Sequence, residues 1–151
     1  MTESPRYMDL AIAEAEKAAA RGEVPVGAVL VDAADGSILA AAGNETVARD
    51  DPTAHAEMLV VRRAGALVGS SRLDGADLFV TLEPCAMCAA AVSFARLRRL
   101  TFGAYDPKGG GVEHGARFYE RATCHHRPEV IGGVDEERCA ALLRTFFAAR
   151  R

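Results

Sequence analysis

The chain has 151 residues and a formal net charge of −3, with 50% of its residues hydrophobic and 26% charged. This length predicts one compact domain over residues 1–151, and the composition is typical of a globular protein, not a disordered one. No apolar run reaches the roughly 18–20 residues of a membrane helix, and the acidic side chains among the first 20 residues are unlike a signal peptide. We therefore expect a cytoplasmic protein with no membrane partner.

The first part of the chain predicts a helix followed by two strands. Residues 6–21 have apolar side chains at spacings of three and four, which favours an amphipathic helix, and Gly22 is expected to end it. The apolar run Val24–Asp32 predicts a strand covered on both faces. A short turn separates it from a second strand, Ser37–Gly43, so we expect the two strands to form a hairpin.

The middle of the chain alternates between helices and strands. Thr53 is expected to cap a helix that runs to about Ala66. Asp77–Leu82 predicts a third strand, after which Pro84 is expected to open a helix of small residues, because proline suits the first turn of a helix. Arg99–Gly103 predicts a fourth strand.

The last third of the chain begins with a glycine-rich stretch, Asp106–Gly111. A short helix at Gly115–Arg121, a short fifth strand at Val130–Ile131 and a final amphipathic helix at Asp135–Arg150 follow. The segment between the fourth and fifth strands is long enough for a crossover, so these two strands are expected to run parallel. The alternation of strands and helices predicts an α/β fold with a sheet covered on both faces.

Two short motifs contain the residue types of a catalytic zinc site. TAHAEM contains His55 and Glu57, and LEPCAMC contains Cys85 and Cys88. One imidazole and two thiolates make a three-ligand set, which favours catalysis because structural zinc sites usually close with four protein ligands. Cys85 and Cys88 are one helical turn apart at a predicted helix start, where the free N–H groups favour thiolates.

Glu57 is placed to move protons beside such an ion. Bound zinc lowers the pKa of water from 15.7 to roughly 7. Loss of ammonia from an aromatic amidine also requires protonation of a ring nitrogen and of the departing amine, and one carboxyl group can serve both steps. The arrangement resembles H-x-E…P-C-x-x-C, the known signature of zinc deaminases that act on nucleobases.

Each residue of this set has a simpler interpretation when it is taken alone. His55 could be an ordinary histidine, Glu57 a helix charge, and Cys85 with Cys88 a redox pair or half of a structural zinc site. Their joint occurrence with Pro84, each half following a strand at a helix start, favours the metal site.

The remaining cysteines are expected to be structural. Cys124, His125 and His126 form a second cluster, but no partner pair lies nearby at zinc-finger spacing. Cys139 lies on the apolar side of the final helix and is expected in the core.

The charge balance argues mildly against a nucleic-acid partner, because phosphate binding usually depends on lysine and arginine. Two arginine clusters weaken that argument, although both could be solvated helix ends. They comprise Arg96, Arg98 and Arg99, and Arg144, Arg150 and Arg151.

Segments around the zinc motifs resemble the bacterial tRNA-specific adenosine deaminase family over nearly the whole chain. They are EVPVGAVLV (Glu23–Val31), Asn44, DPTAHAE (Asp51–Glu57), LFVTLEPCAMCAAA (Leu78–Ala91), FGAYDPKGGG (Phe102–Gly111) and CAALLRTFFAARR (Cys139–Arg151). The zinc motifs are shared with the wider cytidine deaminase superfamily, so only the flanking segments indicate the substrate.

The resemblance implies a single deaminase domain with a three-layer α/β/α cytidine deaminase-like fold and a central mixed five-stranded sheet. It implies a homodimer with one zinc ion per subunit, held by His55, Cys85 and Cys88, with Glu57 as the catalytic residue. The implied reaction is hydrolytic deamination of adenosine to inosine at the wobble position of a tRNA anticodon, with the anticodon arm as partner.

The resemblance also implies which residues surround the base. Asn44 would hydrogen-bond the purine, and the backbone around Ala56 and around Leu82 and Glu83 would hold the base near zinc. Val26 and Pro25 would form the apolar wall of the pocket.

Further residues are implied to contact the rest of the RNA. Asp106 and Lys108 would approach the ribose and the phosphates of the flipped nucleotide. Phe146, Phe147, Arg150 and Arg151 would touch the anticodon arm, although core packing is an equal alternative for the two phenylalanines.

Two other functions remain open at this point. One is deamination of a free nucleobase or nucleoside, such as guanine, cytosine or cytidine. The other is a zinc-stabilised RNA-binding module without catalysis.

Overall fold

The computed structural model describes residues 4–150, and its framework is one five-stranded sheet with the strand order β2-β1-β3-β4-β5. The strands are β1 (Gly27–Asp32), β2 (Ile38–Gly43), β3 (Ala76–Leu82), β4 (Arg99–Ala104) and β5 (Glu129–Ile131). β1 pairs antiparallel with β2 and with β3, whereas β3–β4 and β4–β5 are parallel pairs. The predicted hairpin, the mixed sheet and the parallel fourth and fifth strands are therefore confirmed.

Four α-helices cover the two faces of the sheet. They are α1 (Ser4–Ala20), α2 (Ala56–Val68), α3 (Ala86–Phe94) and α4 (Glu136–Ala148). α1 and α4 pack on one face and α2 and α3 on the other, so that the molecule has three layers. Because β1 is an interior strand covered on both faces, its side chains alternate between the two cores: Leu30 packs towards α2 and α3, and Val29 packs towards α1.

Glycine allows α1 to approach the sheet closely. A Cβ on Gly27, the first residue of β1, would overlap the backbone of Ala11 and Ala15 in α1. Gly103 in β4 similarly faces the Cys139 side chain of α4. Cys139 is buried, as its position on the apolar side of the final helix predicted.

Several predicted element starts are wrong, and local hydrogen bonds explain why. The first strand begins at Gly27, not Val24, because Pro25 has no N–H and Val26 N–H donates to Val24 O in a turn. Thr53 does not cap α2. It donates to Asp51 Oδ1 through its N–H and its hydroxyl, at 2.9 and 2.7 Å, and His55 is the N-cap.

The start of α3 and the predicted short helix also differ from expectation. Pro84 does not open α3, because Cys85 is the N-cap and Ala86 the first helical residue. Pro84 O instead accepts a hydrogen bond from Gly111 N–H at 2.8 Å. The helix predicted at Gly115–Arg121 is only a single 3₁₀ turn, Phe118–Glu120. Within residues 4–150, no helix has the length and apolar character needed to cross a bilayer.

Candidate active site

The candidate site lies at the sheet edge where the carboxyl ends of β3 and β4 meet the start of β1 and the end of β2. α2 and α3 both begin at this edge, with His55 and Cys85 as their N-caps. The two zinc motifs are far apart in sequence but adjacent in space, because each follows a strand or loop that ends at the same edge. The first turns of both helices therefore lie at one end of the sheet, where the positive ends of their dipoles favour thiolates.

His55, Cys85 and Cys88 form the cluster that the sequence predicted. His55 Nδ1 lies 3.7 Å from Cys85 Sγ and 3.5 Å from Cys88 Sγ. All three donor atoms lie within 4.8 Å of one another, and no other metal-competent group of three occurs in residues 4–150. Tetrahedral zinc with its usual Zn–N and Zn–S bond lengths requires N···S separations of about 3.5 Å. The geometry and the donor chemistry fit one zinc ion with a fourth position left for a ligand that is not protein.

The two thiols are electrostatically coupled. A hydrogen bond from Cys88 lowers the pKa of Cys85 to about 4, and the same contact, together with burial, raises the pKa of Cys88. The hydrogen bond with Cys85 raises the pKa of His55. A bound zinc ion would hold both sulfurs as thiolates, because metal-ligating cysteines are deprotonated.

Glu57 lies in the first turn of α2 and is 4% exposed. Burial raises the pKa of its carboxyl to about 7, and its carboxyl group interacts with Cys88. A carboxyl group with a pKa near neutrality both accepts and releases protons readily at physiological pH. The residue therefore combines a position beside the metal cluster with the properties of a general acid and base.

Asn44 is held in one orientation by α2. Its Oδ1 accepts a hydrogen bond from Ala56 N–H at 2.8 Å. The amide oxygen is thereby used within the protein, and the amide nitrogen remains as the donor on this side of the pocket.

A cavity of about 340 Å³ opens beside the cluster. Among the residues expected around the base, its lining includes Val26, Asn44, Leu82, Glu83 and Asp106, together with His55, Glu57 and Cys85. Pro25, Ala56 and Lys108 do not line it, whereas Val24 and Gly109, the neighbours of Pro25 and Lys108, do.

Sequence reasoning missed two lining residues, Val24 and Thr46. The sequence predicts Val24 inside the first strand, whereas in the structure it precedes the hydrogen-bonded residues of β1. Thr46 follows Asn44 by two residues. Its closeness in sequence to this predicted base-binding residue was the only feature that could have indicated its place in the cavity wall.

Comparisons with known proteins extend these observations. The model of the cytidine and deoxycytidylate deaminase zinc-binding region matches residues 1–104. The tRNA-specific adenosine deaminase of Agrobacterium fabrum is 55% identical over 151 residues, covering 100% of this chain and 98% of that protein. The chain belongs to the tRNA-specific adenosine deaminase family. Another relative, the tRNA-specific adenosine deaminase of Bacillus subtilis, is 46% identical over 151 residues, covering 100% of this chain and 92% of that protein.

Solved structures include a member of the same family. A tRNA:A34 deaminase, studied for A-to-I editing at the wobble position of transfer RNA, superposes with a TM-score of 0.89 at 56% identity. The match covers 91% of this chain and 99% of that one. The cytidine deaminase-like α/β/α fold that the resemblance implied is therefore confirmed.

The C-terminal residues that the family resemblance marked as RNA contacts differ in exposure. Phe146 is buried, and the Arg150 guanidinium lies 3.5 Å from the centre of its ring. Phe147 is 46% exposed and packs edge-on against Phe146. Core packing thus accounts for Phe146, whereas Phe147 offers an aromatic surface. Arg151 lies outside the described residues.

The second cysteine–histidine cluster is structural. The Cys124 thiol is buried and donates to His126 O at 3.2 Å, and His126 Nε2 lies 2.7 Å from Leu97 O. His125 is exposed, and these three residues form no metal-competent group.

Two arginines of the first cluster form ion pairs. Arg98 makes a bidentate pair with Asp77 at 2.6 and 2.9 Å, and Arg99 pairs with Glu129 at 2.9 Å. This part of the cluster therefore stabilises the start of β3 and the β4–β5 pair.

Proposed function

We propose that this family member hydrolyses adenosine to inosine at the wobble position of a tRNA anticodon, acting as a single catalytic domain in the cytoplasm. The observation that carries the proposal is the His55, Cys85 and Cys88 cluster beside buried Glu57, in a chain 55% identical throughout to a tRNA-specific adenosine deaminase. The metal site explains the hydrolysis, and the full-length identity indicates the substrate.

The chemistry of the chain's own residues follows from their positions. Zinc, when bound, supplies a Lewis acid that makes a water molecule acidic at neutral pH. Glu57 would take one proton from the attacking water and deliver it to a ring nitrogen of the purine as the oxygen bonds to the amine-bearing carbon. It would then take the second proton from the new hydroxyl group and pass it to the amine, which leaves as ammonia when the C–N bond breaks. Its burial limits the access of bulk water to these transfers and raises the pKa of its carboxyl group.

Recognition of the base is assigned to Asn44 and to the apolar wall. Because Ala56 N–H occupies Asn44 Oδ1, the amide nitrogen is the group left to donate to an acceptor on the purine. Val24, Val26 and Leu82 line the same cavity and would pack against the ring faces. The backbone around Ala56 and around Leu82 and Glu83 is proposed to complete the base site. The N–H groups of Ala56 and Glu83 already donate to Asn44 Oδ1 and Ala104 O, so these two residues would contribute their other backbone atoms.

The remaining contacts would be made by the RNA around the flipped base. A base must leave its stack to reach the buried cluster, and nucleotides in a loop leave it at low cost. Asp106 lines the cavity and is placed to approach the ribose. Lys108, whose N–H donates to Asp106 Oδ1, would reach a phosphate. Phe147, Arg150 and Arg151 are proposed contacts of the anticodon arm, whereas buried Phe146 would support Phe147.

An assay that offers both classes of substrate tests this function. We expect inosine to form in an anticodon stem-loop with adenosine at the wobble position, and no product from free adenosine, guanine, cytosine or cytidine. The control is the same stem-loop with its adenosine moved to another loop position, which should remain unmodified. Turnover of the free compounds alone would support the alternative, a free nucleobase or nucleoside deaminase.

The homodimer is a further part of the proposal. Large apolar side chains are exposed at the ends of the two helices on one face: Leu67 and Val68 of α2 and Phe94 of α3. Burying such side chains against a second copy is favourable because it removes apolar area from water. Sedimentation should give a mass of two chains at micromolar concentration; a monomer there would refute the dimer.

A further inference from the structure

Glu83 directs a fully buried carboxylate away from the metal cluster and into the loop 106–114. Its side chain has 0% exposure. Oε1 accepts from Asp106 N–H at 3.0 Å and lies 2.8 Å from His114 Nδ1, which must be the donor because the carboxylate can only accept. Oε2 accepts from the N–H groups of Val112, Glu113 and His114 at 3.2, 2.8 and 3.1 Å.

These five hydrogen bonds use the full accepting capacity of a carboxylate, which has about four lone-pair positions. The group is thus a charged acceptor with no capacity left for substrate. Its side chain binds the loop, whereas the family resemblance assigned a role in base binding to its backbone alone.

The loop is shaped around this carboxylate. A Cβ on Gly110 would overlap Glu83 Oε2 and Cδ, and a Cβ on Gly111 would overlap the backbone of Ala86 at the start of α3. Gly111 N–H also donates to Pro84 O at 2.8 Å. The glycines therefore permit the loop to close over Glu83 and to rest against the helix that carries Cys88.

The same loop forms one wall of the cavity, since Asp106 and Gly109 both line it. Asp106 Oδ1 accepts from Lys108 N–H and Gly109 N–H at 3.2 and 2.9 Å. Residues 106–109 of the wall therefore form a local turn that is closed by the Asp106 side chain. The Glu83 carboxylate accepts from Asp106 N–H at the beginning of this turn and from three N–H groups in residues 112–114, after the turn.

We propose that the side chain of Glu83 is a positioning group: its carboxylate fixes the loop 106–114 as the RNA-contacting wall of the site and does not itself touch substrate or metal. This inference rests on the proposed function for its effect on RNA binding. Its effect on the loop itself does not depend on that function. Leaving one buried and several partly buried N–H groups without an acceptor is costly, so we expect the loop to shift when the carboxylate is lost.

Glu83→Gln tests the proposal because it keeps the shape of the side chain and replaces one accepting oxygen by a donor. The matched control is Glu113→Gln, which removes the same charge from an exposed side chain. Glu113 contacts Glu83 through its backbone N–H, which the substitution retains. We expect Glu83→Gln to raise KM for the anticodon stem-loop about tenfold and to change kcat less, with zinc content unchanged. Amide hydrogen exchange at residues 112–114 should become about tenfold faster.

A second variant covers the case in which Glu83→Gln fails to fold. Gly110→Ala retains the carboxylate but pushes the loop away from it, and should produce the same rise in KM and in exchange rate. Unchanged exchange and unchanged KM in both variants would overturn the proposal, as would loss of zinc from Glu83→Gln. Faster exchange in a protein whose wild type edits no RNA would contradict the proposed function and leave the positioning role supported.

Discussion

Replacing Glu57 by Gln should lower kcat for adenosine deamination about 10³-fold while the protein keeps its zinc. The substitution preserves the shape of the side chain in its buried position in the first turn of α2. It removes the only carboxyl group in the cavity lining whose pKa burial raises to about 7. A glutamine can neither accept the proton of water nor pass it to the purine and the leaving amine. Single-turnover formation of inosine in the stem-loop measures the effect.

The matched control is Asp74→Asn, since Asp74 is an exposed acid at the opposite end of β3 and pairs only with Arg72 among the described residues. It should leave kcat and zinc content unchanged. Full activity of Glu57→Gln would remove Glu57 from the mechanism. Zinc-containing wild-type protein that binds the stem-loop without forming inosine would favour the alternative of a non-catalytic RNA-binding module.

The metal cluster could be predicted from the sequence because its signal is local chemistry. Two cysteines one turn apart at a helix start must present neighbouring sulfurs, and a histidine with a glutamate two residues later supplies the other two groups. The strands that bring His55 close to the cysteines could also be predicted from the sequence, because each appears as an apolar run. The starts of β1, α2 and α3 were predicted wrongly. The Val24–Val26 turn precedes β1, the Asp51 carboxylate accepts from Thr53 N–H before α2, and Pro84 O accepts from Gly111 N–H before α3.

The walls of the cavity could not be predicted in the same way. Glu83 is part of the zinc motif in sequence, yet its side chain serves a loop that starts more than 20 residues later. Nothing in the local pattern indicates which backbone N–H groups a buried carboxylate will accept from. Glu23 illustrates the same limit: it is buried and accepts from Val47 N–H and Ala48 N–H at the loop beyond Asn44.

Surface charge was the weakest sequence signal. Arginines that are adjacent in sequence suggest a basic patch. However, Arg98 pairs with Asp77 of β3, and Arg99 pairs with Glu129 of β5. Arg150 covers the ring of Phe146. Clustering along the chain says little about free charge because acidic partners arrive through tertiary contacts.

Replacing Cys88 by Ala should leave the purified protein with less than about a tenth of its zinc and no detectable deamination. Cys88 is fully buried, and its sulfur lies 3.5 Å from His55 Nδ1, so no other described side chain can take its place as a ligand. The remaining imidazole and thiolate would give a two-ligand site, which binds zinc weakly because catalytic zinc normally has three protein ligands. Zinc per chain, measured by mass spectrometry of the metal, and inosine formation should fall together.

The control for this substitution is Cys124→Ala, which removes another buried thiol close to α3. Cys124 contacts Ser93 and His126 O and takes no part in the metal cluster. Its loss should cost stability through a small cavity but leave one zinc ion per chain. Because both variants delete the same buried group, a difference in zinc content between them reports ligation and not folding. Full zinc content in Cys88→Ala would contradict the three-ligand site and, with it, the open fourth position on which the hydrolytic mechanism depends.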